Sequence, residues 1–394
     1  MRRFITISLA AWLALGGMAG FAGTAAAQTR QPSKASNLNF AFTQLLDSPE
    51  ITDDAVTFRV LAPNARRVCI TGSWENFYTE QEMTLGEGGV WTYTMPKPAP
   101  DIYQYVFDID GKVVLDPGNY SATRDMYNYR SNLIIRGEGT EPYFSQNSSE
   151  HGTLQKVWYD SKEFGGPRRM SVYVPYGFSD KQTYPVLYLQ HGGGGDEEAW
   201  ESLGRICEIM DYMIENGLCK PMIVVFPNGN ASEMAACETA LPEKFIFNMG
   251  DPEFRTGSKY LRDLTGDIIP FIDSHYPVAA DKAHRAVAGL SMGGGHTVTL
   301  MRTDPGLFDY YGVFSTGSMG GSAKEALESL NASGYKYLMV GCGPYDIAYD
   351  GAMSFVEALQ AAQMPFTYYG EDLTSGHLWQ TWRKCILRFL PHLF

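Results

Sequence analysis

Past its first 27 residues this chain of 394 has no apolar run long enough to cross a bilayer, so the remainder is expected to be soluble, with no membrane partner. Positive charge is scarce as well. The 31 Lys and Arg against 44 Asp and Glu leave a net charge of −13, a balance that argues against nucleic acid or an anionic membrane surface as partner. Cysteine is sparse: the six, at 69, 207, 219, 237, 342 and 385, include no Cys-x-x-Cys pair, so zinc ribbons and thioredoxin-type chemistry are not expected. Cys207, Cys219 and Cys237 are close enough in sequence to allow a disulfide, but spacing assigns no bridge. Cys342, in an apolar run, reads as a buried thiol.

What is present begins with Met1-Arg2-Arg3, an apolar stretch from Phe4 to Ala22, and small residues ending at Ala27. That order is a secretory signal peptide over 1–27, cleaved after Ala27, and glycines at 16, 17, 20 and 23 make the same run a poor membrane anchor. The expected location is secreted or periplasmic. A polar segment, 28–45, follows.

Residues 46–137 alternate apolar and polar in short runs, as in Val56-Thr57-Phe58-Arg59-Val60 and Tyr103-Gln104-Tyr105-Val106-Phe107, with turn signals such as Asp110-Gly111 between them. They predict an immunoglobulin-like β-sandwich. Trp91, Tyr93, Tyr103 and Tyr105 alternate within strands, as packing residues do. Trp74, Phe77, Tyr78, Tyr127 and Tyr129 fall in loop-like segments and are the candidates for stacking on a sugar ring. Phe58 through Ala65, Gly89-Val90-Trp91-Thr92, Tyr103-Gln104-Tyr105, Asp110-Gly111 and Asp116-Pro117-Gly118-Asn119 resemble the N-terminal sandwich of glycogen-branching and debranching enzymes, the family-48 carbohydrate-binding-module type. The resemblance implies either sugar binding or a sandwich that shields its neighbour.

A polar stretch, 138–152, reads as a linker. From 153 to 394 apolar runs (185–189, 222–226, 286–288, 311–314, 337–340) alternate with helical patterns such as Leu261 to Ser274. Buried strands separated by helices predict an α/β domain with a mostly parallel central sheet.

Gly289-Leu290-Ser291-Met292-Gly293 lies between such a strand and a helix-like stretch, Thr297 to Arg302. This strand–turn–helix context is that of a nucleophile elbow in an α/β-hydrolase, with Ser291 as the nucleophile. A serine hydroxyl needs a base, and the base needs an orienting carboxylate, which in this fold follow in the order Ser, acid, His. Of the later histidines, His296 sits inside the elbow helix and His392 is third from the C-terminus, whereas His377 follows the strand-like run 365–369 in a glycine-containing loop. His377 is the expected base. Asp346, just past the run 337–340, is the expected acid, with Asp350 as the alternative. The oxyanion donors are expected to be the amides of Met292 and of Gly193, in His191-Gly192-Gly193-Gly194-Gly195. No Gly-Lys-Ser/Thr follows that run, so a phosphate cradle is not expected, and no metal or cofactor is called for.

His191 to Gly195 with Trp200, Pro221 to Val225, Arg285 to Gly294, Gly341-Cys342-Gly343 with Asp346, and Gly376 to Trp379 with Trp382-Arg383 resemble the esterase-D-like superfamily, especially bacterial feruloyl and acetylxylan esterases of carbohydrate-esterase family 1. The sequence departs from that pattern at Pro344-Tyr345, where charged residues are common, and at Ser375, where Gly is common. The resemblance implies a serine esterase acting on feruloyl esters of plant cell-wall polysaccharide or xylo-oligosaccharides, with acetylxylan, siderophore-ester or acyl-transfer chemistry as alternatives. Trp200, Trp379 and Tyr345 are the candidate pocket residues. A non-catalytic carbohydrate-binding protein would need a broken triad, and no predicted member is missing.

Overall fold

The computed structural model describes residues 46–75, 79–236, 253, 257–316 and 322–394. The expected leader, the polar segment 28–45, Phe77, Tyr78 and Cys237 lie outside the described residues.

The N-terminal part is a two-sheet sandwich. One sheet has the order β1 (Glu50–Ile51), β2 (Ala55–Leu61), β6 (Val90–Pro96), β5 (Thr84–Leu85). The other runs β4 (Gln81–Glu82), β3 (Val68–Gly72), β7 (Asp101–Ile109), β10 (Asn128–Ile135), β9 (Ala122–Asp125), with β8 (Lys112–Val114) on β7. The pleat explains the sequence alternation: Val56, Phe58 and Val60 are buried, while the residues between them face outward. They pack with Trp91, Tyr105, Phe107 and Leu133 into one core. The Asp116-Pro117-Gly118-Asn119 corner is held by Asp116, whose buried carboxylate accepts from Ser48 Oγ (2.6 Å), Tyr105 OH (2.7 Å) and the Gly118 amide (2.8 Å).

The C-terminal domain is an eight-stranded sheet in the order β11 (Thr153–Ser161), β12 (Gly166–Val174), β14 (Ile223–Phe226), β13 (Val186–Gln190), β15 (Arg285–Leu290), β16 (Tyr310–Phe314), β17 (Tyr337–Gly341), β18 (Thr367–Tyr369). Strands β14 to β18 pair in parallel, and the β11–β12 hairpin is added antiparallel at one edge. Because helices cover both faces, successive strand residues feed different cores: Val186 and Tyr188 join one, Leu187 and Leu189 the other. The helical run from Ser258 to His275 includes a π-turn at Leu264–Ile268 and buries Leu264, Ile268, Ile269 and Ile272. Among the described residues no helix is long and apolar enough to cross a membrane. The described cysteines, 69, 207, 219, 342 and 385, are free thiols.

The stretch read as a polar linker, 138–152, is not a free tether. It forms two 3-10 turns and buries Tyr143 and Phe144, because its aromatics cover helix α1 (Ile206–Glu215) and the seam between the domains. Arg383, on helix α3 (Trp379–Phe389; the elbow helix, Met292–Thr303, is α2), crosses that seam. Its buried guanidinium pairs with Asp101 of the sandwich (2.6 Å) and donates to the carbonyls of Ile102 (2.8 Å) and Leu203 (2.8 Å). Gln380 adds hydrogen bonds to the carbonyl and hydroxyl oxygens of Ser73, each 3.0 Å.

Candidate active site

The carboxyl ends of β13, β15, β17 and β18 gather at one rim of the sheet, where a parallel α/β fold leaves a crevice. At the end of β15 a single residue, Ser291, separates Leu290 from helix α2 (Met292–Thr303). The helix thus begins five residues earlier than the polar–apolar pattern indicated, because the intervening glycines are helical. Ser291 has φ 52° and ψ −114°, a conformation costing about 1–3 kcal/mol for a non-glycine residue. Neighbouring contacts over-determine it. The Ser291 amide donates to the Phe314 carbonyl (2.8 Å), and the Ser291 carbonyl accepts from the Gly295 amide (3.1 Å) and Thr316 Oγ1 (3.2 Å). The two flanking glycines are steric necessities: a Cβ on Gly289 would fall on the Gly293 backbone, and one on Gly293 would lie 2.6 Å from the His191 carbonyl oxygen.

His377 is presented by the loop after β18, where Gly376 adopts φ 73° and its carbonyl accepts from Thr381 Oγ1 (2.6 Å). Its Nε2 lies 3.0 Å from Ser291 Oγ and its Nδ1 2.7 Å from Asp346 Oδ1. Ionised Asp346 only accepts, so Nδ1 carries the proton and Nε2 is left with a lone pair toward the hydroxyl. Burial alone would raise the Asp346 carboxyl, but the hydrogen bond and charge of His377 and the Ala348 amide (2.8 Å) hold it below the ordinary carboxylate value. Asp350, the alternative acid, is exposed on the following helix, Tyr349–Ala361. His296 is buried in α2, and burial pushes its imidazole down to about 3; His392 is exposed. The indole of Trp382 meets the His377 ring edge-on at 5.1 Å.

The loop after β13 is anchored by His191. The Gly229 amide donates to its Nε2 (2.8 Å), so its Nδ1 carries the proton and donates to the Gly192 carbonyl (2.7 Å); burial holds the imidazole neutral. Gly192 runs close to the serine, where a Cβ would lie 3.2 Å from Ser291 Cβ. Gly193 lines the same cleft. The Met292 amide opens α2, where backbone N–H groups lack intrahelical acceptors and the helix dipole favours negative charge.

The cleft has a volume of about 1300 Å³. Of the three residues expected to line it, Tyr345 does so, 72% exposed, and Trp379 does so from the floor. Trp200 does not. It is 1% exposed, donates its indole N–H to the Gln190 carbonyl (3.0 Å) and packs edge-on against Trp379, so its size serves the core. Among the expected sugar stackers, Trp74 lies over Phe58 (5.3 Å), continuing the sandwich core. Tyr129 belongs to β10 rather than a loop and is half-exposed at the cleft, beside Tyr127.

Sequence reasoning missed that the sandwich forms one wall of this cleft. The β9–β10 hairpin brings Arg124 to Arg130 to the rim that holds Ser291, and the β3 and β7 face contributes Thr71, Gln104 and Asp108. Burial pushes the Asp125 carboxyl up, opposed by Arg130, the Trp379 indole and Arg124. No short motif marks these residues, because their partners lie in the other domain. Among the described residues no three His, Cys, Asp or Glu side chains converge as metal ligands.

The Esterase family model matches residues 161–393, and the model of carbohydrate-binding module 48 (isoamylase N-terminal domain) matches residues 47–120. An endo-1,4-beta-xylanase/feruloyl esterase of Xylanibacter ruminicola is 32% identical over 349 residues, covering 86% of this chain and 44% of that protein. The chain therefore spans less than half the length of that curated relative. Among solved structures, a ferulic acid esterase from Anaeromyces mucronatus in complex with ferulic acid superimposes with a TM-score of 0.55 at 21% identity, over 70% of this chain and 97% of the other. The enterobactin esterase of Shigella flexneri reaches 0.65 at 15% identity, over 87% and 94%, a likeness of fold that extends beyond the catalytic domain.

Proposed function

We propose that this chain, which belongs to the esterase family, is an exported serine esterase that removes feruloyl groups from xylan-derived saccharides. The observation that carries the proposal is the alignment of Ser291 Oγ, His377 and Asp346 through contacts of 3.0 and 2.7 Å. In the proposed reaction His377 Nε2 takes the Ser291 proton as Oγ attacks the ester carbon. The amides of Met292 and Gly193 stabilise the oxyanion, and Asp346 holds the resulting imidazolium. His377 then returns the proton to the departing sugar hydroxyl, and water, activated by the same nitrogen, releases the acid from Ser291.

Two features support the substrate class. The cleft exceeds the roughly 300–1,000 Å³ of ordinary small-molecule sites, room for an aromatic acyl group together with sugar residues. Tyr345 and Tyr129 line it as exposed aromatic side chains, a residue type suited to stacking on a sugar or an aromatic acyl group. The feruloyl esterase named among the relatives gives the acyl group its first candidate. Export rests on the leader-like composition of residues 1–27.

The test is release of ferulate from feruloylated xylo-oligosaccharide, beside acetate from acetylated xylan, by wild type and Ser291→Ala. Ferulate release lost in the variant is the expected result. Acetate alone would retain the mechanism and change the acyl group, while activity that survives Ser291→Ala would overturn the mechanism.

A further inference from the structure

The glycine loop that carries Gly193 has few side chains with which to fix itself. His191 ties down its beginning from below, but Gly192 to Gly195 have none. Such a segment has wide conformational freedom, whereas an oxyanion donor is effective only when preorganised to within about 0.5 Å. What covers the loop from above is the tip of the sandwich hairpin, through three neighbouring residues.

Arg124 comes first. Its guanidinium, 10% exposed, pairs with Asp196 Oδ2 (2.6 Å; Asp196 is 3% exposed), reaches Glu198 Oε2 (3.3 Å), and also donates to the Met126 carbonyl (2.9 Å). One cation thus joins the turn of the hairpin to the end of the loop. Met126, at φ 57°, lays its thioether on Gly194, itself at φ 77°, so closely that a Cβ there would collide with it. Tyr127 acts through a relay: its hydroxyl donates to Glu233 Oε1 (2.7 Å), Asn230 Nδ2 donates to Glu233 Oε2 (3.3 Å), and the same amide hydrogen-bonds the Gly195 carbonyl. The hairpin meets the loop directly at 194 and 196 and reaches 195 through Glu233 and Asn230. A sandwich that served only to hold a sugar chain would not need these contacts.

We infer that the β9–β10 hairpin is a clamp that sets the oxyanion loop, which makes Arg124, Met126 and Tyr127 positioning residues for ester cleavage even when the substrate carries no sugar. The inference rests on the serine-esterase reading above. The experiment uses the full chain and two sugar-free esters, methyl ferulate and 4-nitrophenyl acetate. Met126→Ala, Tyr127→Phe and their double variant are compared with Tyr120→Ala, a substitution at an exposed sandwich position away from the cleft. Loss of one well-placed oxyanion donor costs about 10²–10³ in kcat, so partial misplacement in the double variant is expected to lower kcat by about 10-fold or more with KM within about 2-fold. The rate at which a 4-nitrophenyl alkylphosphonate labels Ser291, with loss of 4-nitrophenolate, should fall in parallel, since its phosphonyl oxygen occupies the same site. Arg124→Met should show a similar loss and Arg124→Lys should recover part of it. If Arg124→Met does not fold, the Met126 and Tyr127 variants decide.

Unchanged kcat on both small esters in folded variants would overturn the clamp. So would a fall no larger than that of Tyr120→Ala. Ser291→Ala, run alongside, separates the two readings: activity that survives it sinks the esterase reading, whereas Ser291-dependent activity indifferent to the hairpin sinks the clamp alone.

Discussion

The two walls of the cleft are built by different physics. On the hydrolase side the elbow is backbone against backbone. Gly289 abuts Gly293, Gly293 abuts the His191 carbonyl, and Ser291 is held in its strained conformation by peptide hydrogen bonds within a few ångströms. On the sandwich side the wall is held by charged and polar side chains from distant parts of the sequence: Arg124 to Asp196, Tyr127 to Glu233, Arg383 to Asp101, Gln380 to Ser73. The first wall tolerates almost no added volume and sets the reacting atoms. The second tolerates shape change better but depends on completing each buried pair, since an unpaired buried charge is costly.

Substitutions on each side should break differently. Asp346→Asn, which disturbs the His377 tautomer while leaving the shape intact, should lower kcat by about 10³–10⁴ with little change in Tm, read by steady-state kinetics and thermal melts. Loss on that scale without loss of stability is the signature of the elbow side. Arg383→Met, at the seam, should do the reverse. It strands buried Asp101 and should destabilise the fold by about 3–5 kcal/mol, while the protein that remains folded keeps Ser291-dependent activity; urea titration together with kcat checks both halves. Gly293→Ala places a methyl 2.6 Å from a carbonyl oxygen and should cost about 1–3 kcal/mol by overpacking, together with activity, because the shift falls on the Ser291 turn. A Tm unchanged by that variant would show that the elbow relaxes more easily than its contacts indicate.

The most gradual effect is a pH slope. His296 titrates at about 3 when folded, against an ordinary value of 6.5. Between those values the unfolded chain binds a proton that the folded chain does not. Stability from this group is therefore complete above about pH 6.5 and declines as pH falls toward 3, by at most about 1.4 kcal/mol per pH unit. His296→Phe should flatten the slope of stability against pH in that window. An unaltered slope would assign the acid sensitivity to other groups, among them His191, which burial also holds neutral.

The elbow was legible because its constraint is local. Two glycines must flank a serine that lies between a buried strand and a helix, and all of this fits in five residues. The partners His377 and Asp346 could be named from chain order and from their positions just beyond strand ends, and the structure brings both within hydrogen-bond distance. The alternation of the sandwich strands and the unbroken apolar strands of the second domain were legible for the same reason, since burial on one face or two writes itself with a period of two or none.

Where those domains meet was not legible. Arg124 finds Asp196 across 72 residues, Arg383 finds Asp101 across 282, and Gln380 finds Ser73 across 307. Trp200, read as a pocket residue, and Tyr143 and Phe144, within the stretch read as a linker, were missed for the same reason: all three are packed in the core between elements far apart in sequence. The sequence by itself determined the two folds, the strained serine and the order of its proposed partners, because each follows from sterics and periodicity over short spans of chain. Only the tertiary structure decided that the sandwich walls the cleft and grips the glycine loop. Complementary charges and shapes brought together across hundreds of residues leave no local pattern to read.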